Sequence, residues 1–271
     1  FRPPYMGEEK PLYTSKDIQP DLLPSLPILD EVISLESIVD NFEYLRLEHL
    51  TSNSQRDVRP QDAYGGVASG GYNPQIQPGN HSAMLRLMLD DPYEDKFLAL
   101  VYVLQHGLDH AYSIIGGWDK AFGDGHEPGH FIIASFAAVL LDIGEAKNAI
   151  RNNSNFHKYY FLKESTIDGV GIYGEWSTES QYWNYVMGLG GSRSRKDPYG
   201  YIDGGKTGME YQLIVSQSWK GTVLVMNLMP ELIDLMEPYR WEILRTYSER
   251  WESHGVWSQP DPCAPFDANP D

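Results

Sequence analysis

Apolar residues recur every three to four positions in several stretches of this chain, and that spacing predicts helices. In the stretch 35–50, Leu35, Ile38, Val39, Phe42 and Leu45 share one face behind Ser34, a residue type that caps free amides at a helix start. A second start signal is Asp91-Pro92-Tyr93-Glu94: an N-cap acid, a proline at the first helical position and a glutamate at the third. The helix it predicts runs to Ile115, with Phe97, Leu100, Val101, Leu104, Leu108, Ala111 and Ile115 on one face, and stops at Gly116-Gly117. Phe131–Asp142, opened by Pro128, is apolar nearly all round and so belongs inside the protein. A short polar helix, Glu145–Asn152, follows Gly144, and a longer one over Met209–Met229 is stopped by Pro230. The last, from Pro238 to about Ser253, carries Trp241, Leu244, Tyr247 and Trp251 at three- and four-residue steps.

Between these lie two long Gly-rich polar loops, 51–79 and 188–208, and a loop as long as the first reads as functional or partly helical. The aromatic segment Phe156–Tyr185 reads as a short hairpin or as a helix from Thr178. Pro3, Pro4, Pro11, Pro20, Pro24 and Pro27 make 1–33 an extended arm, with Tyr5, Leu12, Leu22, Leu23 and Leu26 available to pack on the body. The helical domain is expected over 34–255, and 256–271 is a Pro- and Asp-rich tail or linker.

Composition narrows the function classes. The 271 residues hold 21 Lys and Arg against 38 Asp and Glu, a formal charge of −17, which argues against a nucleic-acid or membrane-surface binder. No apolar run reaches membrane-spanning length, so no membrane insertion is expected. The single cysteine, Cys263, excludes an intrachain disulfide. The chain begins at Phe1, and it reads as a processed piece of a longer product with a further domain.

Several clusters carry candidate chemistry. His106 and His110 are four apart, hence on one helical face at metal-ligand spacing, with Asp109 beside them. The zinc-protease pattern needs Glu after the first His and finds Gly107, so no metal is assigned; a helix C-terminal region also favours His through its dipole. In Gly123-Asp124-Gly125-His126-Glu127-Pro128-Gly129-His130 the glycines permit tight turns next to a helix N-terminus, which makes His126 a candidate and leaves His130 to pack. Tyr64, Trp118, Trp176 and Trp219 offer flat faces on which a sugar could stack, against the default of core packing. Glu210 and Tyr211 stand among polar residues of an otherwise apolar helix and line either a hydrogen-bond network or a cleft. Arg193, Arg195 and Lys196 form the one tight basic run in an acidic chain, suited to an anionic substrate or to a solvated loop.

Paired antiparallel helices joined by alternately short and long Gly-rich loops, over roughly 35 to 255, resemble the (α/α) toroids of polysaccharide lyases and several glycoside hydrolases. The resemblance implies an all-α fold of helical hairpins in an incomplete toroid. It implies a carbohydrate-active enzyme on a polysaccharide or oligosaccharide, secreted or extracellular, acting by β-elimination at a uronate, with no cofactor. Similar lyases take the proton beside the uronate carboxylate with a Tyr or His and neutralise that carboxylate with a cation or amide. Here that gives His126 as base, Tyr112 or Tyr211 as proton donor and Arg193 as neutraliser, with Tyr64, Trp118, Trp176, Trp219 and Glu210 binding substrate. A hydrolase on the same scaffold would instead use two carboxyls from Glu175, Glu179, Asp119 and Asp124. A non-catalytic secreted structural or binding protein would have the same composition.

Overall fold

The computed structural model describes residues 11–43, 73–116, 127–153, 163–167, 170–174, 219–238, 240–242, 244–245 and 248–249. Within them the body is helical. Helix α1 spans Leu35–Phe42, and the Ser34 hydroxyl accepts from the Ser37 amide at 3.0 Å, the cap expected from sequence. Glu43 follows as its C-cap, so the helix is shorter than the stretch 35–50; positions 44–50 lie outside the described residues.

Helix α2, Asn73–Leu87, fits the partly helical alternative for the end of the 51–79 stretch and extends it, since the sequence reading placed no helix between Gly79 and Asp91. Pro74 falls in the first turn, where its missing amide costs nothing. Pro78 removes one internal bond, and burial offsets that loss: Ala83, Met84, Leu87 and the following Met88 are all within 1% of fully buried.

Helix α3, Tyr93–Ile115, has the expected bounds, with Gly116 as its C-cap. The N-cap is Pro92 rather than Asp91. Asp91 instead takes both arms of the Arg86 guanidinium, with Nη2 donating to its Oδ1 at 2.8 Å. Helix α4, Glu127–Leu140, is the centre of the molecule: every side chain from Phe131 to Leu140 is buried, and α2, α3 and α5 pack around it. Its last expected residue, Asp142, forms the stop. At φ 48° Asp142 is left-handed, its amide donates to the Val139 carbonyl, and the Ile143 amide reaches back to Ala138.

Helix α5, Gly144–Asn152, follows with Ala146 and Ile150 buried. Strands β1 (Lys163–Ile167) and β2 (Val170–Gly174) pair antiparallel from Lys163 opposite Gly174 to Ile167 opposite Val170, the hairpin alternative for the aromatic segment. Helix α6, Trp219–Leu228, packs on α2 and α4. Pro230 then opens a 3-10 turn, Pro230–Leu235, that also covers α4. The part of the expected helix over 209–218 lies outside the described residues, as does the tail. In the last helical stretch Leu244 is fully buried, Trp241 packs against the core, and the Ser248 hydroxyl donates to the Leu244 carbonyl.

Helices α3 and α4 meet through Gly107, where a Cβ would overlap the Ile133 carbonyl oxygen and sit 2.7 Å from the Ala137 Cβ. Residues 11–33 lie against this body. Gln19 N–H donates to Leu140 O, Leu26 N–H to Met88 O, and Asp90 N–H to Leu26 O. Ile18 and Leu23 are buried, whereas Leu12 is exposed rather than packed. No helix among the described residues is long and apolar enough to cross a membrane.

Candidate functional site

The second half of α3 carries the densest polar group in the described interior. Spacings of three and four residues set His106, Asp109 and His110 near one another, and all three are at most 3% exposed. The His106 and His110 rings meet edge to face at 4.6 Å between centroids. The other side of His106 meets the ring of Phe42 on α1, 5.5 Å away. Asp109 accepts at Oδ1 from Gln105 Nε2 at 2.8 Å, and the Ser113 hydroxyl donates to the Asp109 carbonyl at 2.8 Å.

This pair is therefore part of a buried polar group on α3, with His106 against Phe42 of α1. Among the described residues no group of three or more His, Cys, Asp and Glu is arranged to hold a metal ion. Gly107, which broke the zinc-protease pattern, has a packing reason instead: α4 comes too close for a side chain.

Tyr112 lies one turn further along, 4% exposed, and its hydroxyl is hydrogen-bonded to that of Tyr13 from the N-terminal arm. Their rings are 6.3 Å apart and tilted by 54°. Burial pushes the Tyr112 hydroxyl up from the ordinary phenol range, the Tyr13 bond adds to this, and the charge of Glu145 acts in the same direction. Tyr112 is thus a buried neutral phenol with its partner already chosen.

Trp219, expected to stack on substrate, opens α6 with 0% exposure, so neither face of its indole is available in this structure. The structure brings Tyr112 together with Tyr13. His126, Tyr211, Arg193, Tyr64, Trp118, Trp176 and Glu210 lie outside the described residues. His130 falls within α4.

Sequence reasoning passed over Gln105, the partner of Asp109, and the buried Asn80 and partly buried His81 of α2. Asn80 is 2% exposed and donates from Nδ2 to the Gly129 carbonyl of α4 at 3.2 Å. The spacing Ala83-Met84 then Leu87-Met88, one helical turn apart, is the signal that would have placed this helix and its polar residues. No family model, curated protein or solved structure matches this chain.

Proposed function

We propose that this chain is a carbohydrate-active enzyme of the (α/α)-toroid kind, cleaving a uronate-containing polysaccharide by β-elimination. One observation carries the reading most: His126 immediately precedes Glu127, the first residue of α4, the helix around which the described body packs. Proton abstraction needs a base close to a fixed framework, and it is this adjacency in sequence to a helix whose residues 131–140 are all buried that supports the reading.

In this scheme His126 takes the proton on the carbon bearing the uronate carboxylate, and Arg193 stabilises the charge that develops there. The carbon–oxygen bond to the leaving sugar then breaks, and its oxygen receives a proton. Tyr112 is buried against Tyr13, so Tyr211 is the donor. Tyr64, Trp118, Trp176 and Glu210 line the sugar path, while Trp219 packs.

A panel of polysaccharides, read for the ultraviolet absorbance of unsaturated uronides beside a reducing-sugar assay, tests the reading. Absorbance rising with new reducing ends supports the lyase. New reducing ends without absorbance give a hydrolase, and neither signal on any substrate gives a binding protein. With a substrate in hand, His126→Ala is expected to lower turnover by about 10²–10⁴-fold with helix content and melting point near wild type. An unchanged rate removes His126 from the mechanism.

A further inference from the structure

His81 stands on α2 where that helix packs against α6. Its ring lies face-on to Gly221: a Cβ at that position would be 2.5 Å from each of the His81 atoms Cδ2, Cε1 and Nε2. The imidazole therefore occupies the space that a side chain on α6 would otherwise fill. Its Nδ1 is shut off from solvent and has no hydrogen-bond partner among the described residues.

We propose that the contact between α2 and α6 is an acid-sensitive latch, closed while His81 is neutral and opened when its ring takes a second proton. The neutral ring needs one donor and one acceptor, whereas the charged ring carries N–H on both nitrogens. In the closed contact the Nδ1 proton would meet no acceptor and the charge no counter-ion, a combination that costs more than the neutral ring does.

Among the described residues the surrounding groups do not offset this. On α2 itself Arg86 is engaged by Asp91 and by the Ile33 carbonyl. On α3, Lys96 is held by the Leu87 and Leu89 carbonyls. The described side chains of α4, Phe131–Leu140, contain no ionisable group, and Lys220 on α6 is exposed. Burial alone acts on His81, pulling it from 6.5 to about 4. The sign follows: above 6.5 both forms are neutral and the latch is indifferent to pH. Below 6.5 the open form binds a proton that the closed form resists, and the bias grows until the closed form also titrates near 4.

Hydrogen exchange followed peptide by peptide at neutral pH and near pH 5, corrected for intrinsic rates, reads the latch directly. In the wild-type chain, opening over 81–89 and 219–228 is expected to rise about twenty-fold by about pH 5, with 131–140 unchanged. His81→Gln, which does not titrate, is expected to lose that rise. An NMR titration of the His81 ring in the wild-type chain, expected to stay neutral to about 4, needs no variant to fold. The latch is overturned by a His81 that titrates near 6.5, by equal acid opening in His81→Gln, or by acceleration spread evenly over α3 and α4.

Discussion

A methyl group at Gly107 has nowhere to go, because α4 supplies a carbonyl oxygen and the Ala137 Cβ at the position it would take. Gly107→Ala is therefore expected to destabilise the chain by about 1–3 kcal/mol, even though alanine favours helix over glycine by roughly 1 kcal/mol. Gly144 is the control. It opens α5 with nothing within 4 Å of its would-be Cβ, so Gly144→Ala should stabilise by about 0.4–1 kcal/mol. Denaturant midpoints of the two variants should move in opposite directions. Ser135 is the other residue where a single atom decides: its hydroxyl is buried in α4 with no hydrogen-bond partner among the described residues. Ser135→Ala removes an unpaired polar group at little loss of volume and is expected to raise stability by about 1 kcal/mol, read from the same unfolding curves. Neither environment was visible in sequence, since both depend on what lies across the helix interface.

Between α2 and α3 the connection is held by charged groups turned inward. Lys96 donates from Nζ to the carbonyls of Leu87 at 3.1 Å and Leu89 at 2.9 Å, closing the C-terminal end of α2 from the first turn of α3. Arg86 binds Asp91 and also donates from Nε to the Ile33 carbonyl at 2.8 Å, which ties in the N-terminal arm. Lys96→Met keeps an unbranched apolar stem but leaves two carbonyls without that donor. The expected cost is about 1–3 kcal/mol, with faster hydrogen exchange over 84–89 as the local check. The start signal at Asp91 told where α3 begins to within a residue, because proline and acid act locally. It did not tell that Asp91 would be taken by Arg86, five residues back and across a turn.

At the scale of the molecule, α4 is the element on which the others converge, so its opening requires several interfaces to separate at once. Amides of 131–140 are expected to exchange most slowly of all described segments, with α1 and residues 11–33 exchanging earlier. Hydrogen exchange that is as fast in α4 as in α1 would show that the body does not unfold around a central helix. That α4 is buried was legible from sequence, as were the Ser34 cap, the bounds of α3 and the short helix after Gly144, because each rests on periodicity or capping within one element. Helix α2 was legible only in its second half: Ala83, Met84, Leu87 and Met88 carry helical spacing, whereas Pro74, Pro78 and Gly79 argue locally for a loop, and burial against other helices overrides them. The same division holds for the candidate chemistry. Spacing alone put His106, Asp109 and His110 on neighbouring positions of a helix, but it was the packing of the other helices on α3, with Phe42 of α1 against His106, that buried them. Sequence likewise supplied Tyr112 and Trp219 as large aromatics, and the fold decided that the first pairs with Tyr13 and the second is packed away. A residue's conformation responds to its chain neighbours, whereas its exposure and its partners depend on segments far away in sequence, and for this chain that difference separates what could be read from what had to be folded.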